Sequence, residues 1–141
     1  MHIFKKLLLA LLMVLMPCLV HAADAGAGKH AIDALLESNI ARDPSTLGMR
    51  EAMAEAQRQW DVELNATYKR LMAKLDAAGQ ASLRDTQRNW LQFRDAEFKA
   101  IRDVVAAQPG TVHLLSASEF ALQLVRERAL TLAAYEQELA N

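Results

Sequence analysis

Beyond residue 22 the chain keeps two histidines, His30 and His113, and they are the first residues to weigh for proton or metal chemistry. Neither has a second histidine or cysteine three or four residues away, as a zinc site on a helix would need, so no metal or cofactor is expected. Ser116 and Ser118 follow His113 within one short stretch, but a nucleophile needs a base held against it across the fold. Carboxylate pairs such as Asp61 and Glu63 are common on solvated helices, and the scattered glycines form no phosphate-cradling loop. No enzymatic activity is expected.

A different set is conspicuous by position. Gln87, Arg94 and Arg128 fall on otherwise apolar helical stripes, with Asp61, Asn65 and Asp95 beside those stripes. A guanidinium facing a core must be paired and fully hydrogen-bonded, because an unpaired buried charge costs several kcal/mol. The expectation is a polar layer in which Arg94 and Arg128 meet Asp61, Asn65, Asp95 or Glu127. Its structural reading is a device that fixes helix register; its functional reading is a ligand pocket. The structural reading is preferred, since arginine's planar five-donor fork suits it.

The elements that must position these residues follow from the apolar period. Ile32, Leu35, Leu36 and Ile40 predict a short helix over 30–42, ended by Asp43-Pro44, with Ser45 or Thr46 capping the next. Met49, Met53, Ala56, Trp60, Leu64, Tyr68, Leu71 and Leu75 mark a long helix over 46–77, with Gly79 as its stop. Leu83, Gln87, Trp90, Arg94, Phe98, Ile101 and Val105 form a second stripe, ended by Pro109-Gly110. After a loop at 108–118, Ala121, Val125, Arg128, Leu132, Tyr135 and Leu139 form a third; Ser118, or a position nearer Leu114, begins it. The methionines at 49, 53 and 72 read as core filler. An all-α, elongated antiparallel three-helix bundle is expected, with a short extra helix at its N-terminal side and each long helix about 40 Å in length. Trp60, Leu64, Tyr68, Trp90, Phe98 and Phe120 are its expected large core residues.

The first 22 residues stand apart. A basic start at Lys5 and Lys6 precedes an apolar run too short to span a membrane comfortably, and Val20-His21-Ala22 offers a cleavage site. Export to the periplasm or medium is expected, with 23–44 a flexible leader carrying the short helix and 45–141 the helical domain. The rival reading is lipid attachment at Cys18, which Pro17 disfavours. Cys18 is the chain's one cysteine, so a mature chain forms no internal disulfide and packing alone must hold it. The whole chain carries 16 basic and 17 acidic residues, and loss of Lys5 and Lys6 deepens the acidic balance. With no basic block, nucleic acid is not expected as a partner, and no second apolar run reaches membrane length.

Three segments resemble the lysozyme inhibitor LprI N-terminal domain family. WDVELNATYKRLMAKL is similar to its Asp-x-Glu-Leu-Asn…Tyr…Leu segment, and LRDTQRNWLQFRDAEF to its Gln-Arg-x-Trp…Phe-Arg-Asp-x-Glu-Cys signature. LQLVRERALTL matches its closing Leu-x-x-x-Arg-x-x-x-Leu helix more loosely. The resemblance spans about residues 46–139. It departs at the cysteines: Phe98 and Phe120 occupy two family cysteine positions, and Ala52 or Met53 stands near another. This implies an aromatic Phe98–Phe120 contact where the family has a cross-link. It also implies an exported protein-binding domain that inhibits lysozyme or a related wall-cleaving enzyme by steric blocking. An inhibitor of that kind would insert a loop with hydrogen-bond donors into a cleft holding two carboxylates, and the 108–118 loop, with Thr111 and His113, is the candidate. The alternative is a non-inhibitory envelope module with another protein partner.

Overall fold

The computed structural model describes residues 29–140, and these fold into four helices. The expected signal segment 1–22, with Cys18, lies outside the described residues. Helix α1 is Ala31–Arg42, α2 Thr46–Lys74, α3 Ala77–Ala106 and α4 Val112–Glu138. Among the described residues no helix is long and apolar enough to cross a membrane.

Helices α2 and α4 are the most extensively packed pair. They run parallel, since Arg126 of α4 lies over Trp60 of α2 while Glu136, further along α4, meets Arg70 further along α2. Helix α3 runs antiparallel to both, so α2, α3 and α4 form the expected up-down-up bundle, and α1 packs back along α2. Trp60, Leu64 and Leu71 from α2 meet Leu122, Val125, Ala129 and Leu132 from α4, and α3 adds buried Leu83. Trp60 is 1% exposed, and burying such a ring contributes more than any other side chain here.

The corners explain the helix ends. Ser45 Oγ accepts from the Gly48 amide at 3.0 Å, and the Ser45 amide donates to Asp43 Oδ1 at 3.1 Å. At the second corner Gly79 is not the stop. Helix α2 ends at Lys74, Leu75 is extended, and Asp76 caps α3 by accepting from the Gly79 amide at 2.8 Å. Gln80 then donates to the carbonyls of Met72 and Leu75, satisfying acceptors that the end of α2 leaves open. The third connection is shorter than the expected 108–118 loop. Helix α4 begins at Val112, and Ser118 is an interior residue whose hydroxyl donates to the Leu114 carbonyl. Gly110 supplies the positive φ of 95° that the tight return requires.

Phe120 is not core: it is 58% exposed. The inward face of α4 is set by Leu122, Val125, Ala129 and Leu132, and two residues before Leu122 is about 200° round the helix. Phe98 packs half-buried against the core, and no Phe98–Phe120 ring contact is made among the described residues. Tyr135 and Leu139, drawn on the third stripe, are also exposed, because the last turns of α4 turn Glu136 toward Arg70 and Lys74 instead.

Candidate functional site

The polar residues singled out in the sequence form two hydrogen-bonded groups that share the Trp90 ring. In the first, Gln87 of α3 and Arg128 of α4 are each 8% exposed. Gln87 Oε1 accepts from Arg128 Nε at 3.1 Å and Nη2 at 3.0 Å, and the guanidinium carbon lies 5.9 Å from the Trp90 ring centre. A neutral amide and a ring face hold this cation, and Arg128 makes no ion pair among the described residues. Burial accordingly pulls its pKa below the usual arginine value.

In the second, Arg94 lies half-buried between Trp90 and Phe98, 5.5 and 5.8 Å from their ring centres. Spacings of four residues put all three on one face of α3, so the guanidinium stacks on the rings above and below it. Its nitrogens bond Asp95 Oδ1 at 3.0 and 2.7 Å, and Asp61 Oδ1 of α2 is 3.9 Å away. Asn65 stays on its own helix, donating to the Asp61 carbonyl and carboxylate, and Glu127 is exposed.

The site that the sequence did not reveal is where α1 docks. Asp33 accepts from Trp60 Nε1 at 3.3 Å and from Arg126 through three contacts of 2.7 to 3.2 Å. The Arg126 guanidinium lies 5.4 Å from the Trp60 ring centre, and the His30 ring rests on that same indole at 4.3 Å. His30 also caps α1 by accepting from the Ile32 amide. The bonds from Arg126 hold the Asp33 carboxyl below its usual pKa, against the opposing effect of burial. The pattern was present as Asp33 beside Ile32 and Arg126 beside Val125, but neither breaks an apolar stripe.

At the α3–α4 turn the bundle opens. Thr111 precedes α4 without a side-chain cap, and His113 sits half-buried in the first turn of that helix. Between the two helices lies a groove of about 540 Å³, walled by Phe98, Ile101, Val105 and Leu114 and reaching Ala54 on α2. No three His, Cys, Asp or Glu side chains come together as a metal site would among the described residues.

This arrangement has relatives. A model of the family described as "Lysozyme inhibitor LprI" matches residues 38–132. No curated protein matches the chain. Among solved structures, the crystal structure of an uncharacterized protein from Burkholderia thailandensis superposes with a TM-score of 0.77 at 33% identity. The match covers 81% of this chain but only 57% of that one. With two-thirds of its length matched by the family model, including the Trp90–Arg94–Phe98 segment, the chain belongs to the LprI lysozyme inhibitor family.

Proposed function

We propose that the protein is an exported protein-binding domain that inhibits a lysozyme or related wall hydrolase by blocking its cleft. The observation that carries this reading is the family match over 38–132. The geometry supports it at one end of the bundle. The α3–α4 turn is exposed from Ala107 to Val112 and ends in the first amides of α4, which have no side-chain cap at Thr111. Such N–H donors, with Thr111 and His113 beside them, suit the pair of carboxylates that a glycoside hydrolase presents in its cleft. The acidic balance of residues 23–141 favours encounter with a basic enzyme, although a few charges add little to the rate.

The test is lysis of cell walls by lysozyme, followed by turbidity, with and without the purified protein. Inhibition that weakens when Thr111 and His113 are both replaced by alanine is expected. Undiminished lysis at large molar excess would remove the inhibitory reading. The second reading is an envelope interaction module without inhibitory action. It is favoured by the chain spanning only 57% of the Burkholderia thailandensis protein, where the same fold is part of something longer. A defined partner other than a lysozyme, recovered by co-purification, distinguishes it.

A further inference from the structure

The two ends of the bundle are filled differently. Toward the α2–α3 corner the helices meet through Leu64, Leu71 and Leu132, whereas at the other end Ala54, Ala117 and Ala121 line the groove. Alanines fill little volume, so α3 stands away from its neighbours and leaves its Phe98, Ile101 and Val105 edge only half-covered. Apolar walls of this kind gain from being covered, at roughly 25 cal/mol per Å².

Two cations border the same space. Arg50 of α2 and Arg102 of α3 both line the groove, and neither makes a hydrogen bond or ion pair among the described residues. This differs from the other arginines that meet apolar surface here: Arg94, Arg126 and Arg128 are each held by a partner. An apolar groove with two uncommitted guanidinium groups matches a ligand with a hydrocarbon body and an anionic head, since guanidinium binds carboxylate or phosphate oxygens in paired hydrogen bonds. Its volume of about 540 Å³ falls in the range of small-molecule sites.

We propose that this groove binds a single-chain anionic lipid, with the acyl chain between α3 and α4 and the head group at Arg50 and Arg102. The groove adjoins the α3–α4 turn through Gly110 and Leu114, but lipid binding does not require hydrolase inhibition, so a protein that fails to protect cell walls still binds the lipid.

Calorimetric titration of the purified protein with laurate, below the concentration at which it forms micelles, tests this. One laurate per chain is expected, held more tightly than dodecyl maltoside, whose alkyl tail is slightly longer and whose head is uncharged. The Arg50→Gln, Arg102→Gln double variant should bind laurate about tenfold more weakly or worse, the scale of losing hydrogen bonds to a charged group. Ala117→Phe, which fills the groove, should abolish binding with circular dichroism unchanged. Should that variant fail to fold, the arginine variants and the comparison of head groups decide. Absence of laurate binding, equal affinity for the two amphiphiles, or unchanged affinity in the double glutamine variant would each overturn the proposal. So would an acidic amphipathic peptide that binds the groove when laurate does not, which would make the occupant a protein.

Discussion

Trp60 Nε1 and Asp33 Oδ1 are 3.3 Å apart, joining the most deeply buried ring of α2 to a carboxylate of α1. Arg126 closes the arrangement by binding the same carboxylate and covering the same indole. Helix α1 has no fully buried residue of its own, so this node carries much of its attachment.

Replacing Asp33 with alanine should therefore loosen α1 selectively. It removes the acceptor of the Trp60 N–H and the Asp33 bonds of Arg126, and about 2–3 kcal/mol is expected, below the cost of breaking a fully buried pair. Amide hydrogen exchange should show lost protection across 31–42 while α2 and α4 keep theirs.

Acid should produce the same effect. The folded state holds the Asp33 carboxyl below its ordinary value of 3.8, so folding disfavours its protonation. The stabilisation is complete above that ordinary value and is lost as pH falls through the lower, folded one. Protection of α1 followed from about pH 6 downward should fall in that acid window, and Asp33→Asn should flatten this dependence.

Gln87 and Arg128 should be strongly coupled. Gln87→Leu alone leaves a buried guanidinium without its acceptor and should cost about 3–5 kcal/mol. Gln87→Leu with Arg128→Met replaces the pair by apolar volume and should recover most of that loss. Denaturant unfolding of the two single variants and the double variant gives the coupling directly; purely additive losses would show that the bond contributes nothing. Arg94→Ala should cost only about 1 kcal/mol, since its close ion pair is with its own neighbour Asp95, its contact with Asp61 of α2 is long at 3.9 Å, and its remaining hold is the two rings.

At the first corner, Gly48→Ala should destabilise although alanine is the better helix former by about 1 kcal/mol. An added Cβ would lie 2.6 Å from the Asp43 carbonyl oxygen and closer still to its carboxyl group. The corner must open, breaking the Asp43–Ser45 hydrogen bond, and a net loss of about 1–3 kcal/mol is expected in thermal unfolding.

The two phenylalanines at the family's cysteine positions should behave differently. Phe120→Ser removes an exposed ring and should change stability by less than about 0.5 kcal/mol. Phe98→Ala removes packing against the core and one of the two rings that hold Arg94, and about 2–3 kcal/mol is expected. Similar losses at both positions would mean that the rings support each other after all.

The helical class, the four helices and the up-down-up order were legible because apolar periodicity is a local property that each segment carries by itself. Trp60, Leu64 and Leu83 could be placed on inward faces for the same reason. Phe120 could not, because the phase of α4 depends on which of several near-equivalent faces meets α2, and that is settled by packing along the whole helix. The corners were misread where a single side chain decides. Asp76 caps α3 and makes Gly79 a first-turn residue, although glycine after an apolar run reads as a stop.

The sequence by itself determined which residues must be paired: arginines on apolar stripes demand acceptors whatever the fold, because desolvating a charge costs several kcal/mol anywhere in a core. Only the tertiary structure decided the partners. Arg128 could choose among Asp61, Asn65, Asp95 and Glu127 in the sequence, yet it meets neutral Gln87, whose amide the antiparallel register of α3 and α4 brings within 3.1 Å. Likewise, only packing brought Asp33 to Arg126 across 93 residues, and opened a groove where alanines on two helices face an aromatic and aliphatic edge. Partner choice depends on the relative rotation and register of whole helices, which no single segment encodes.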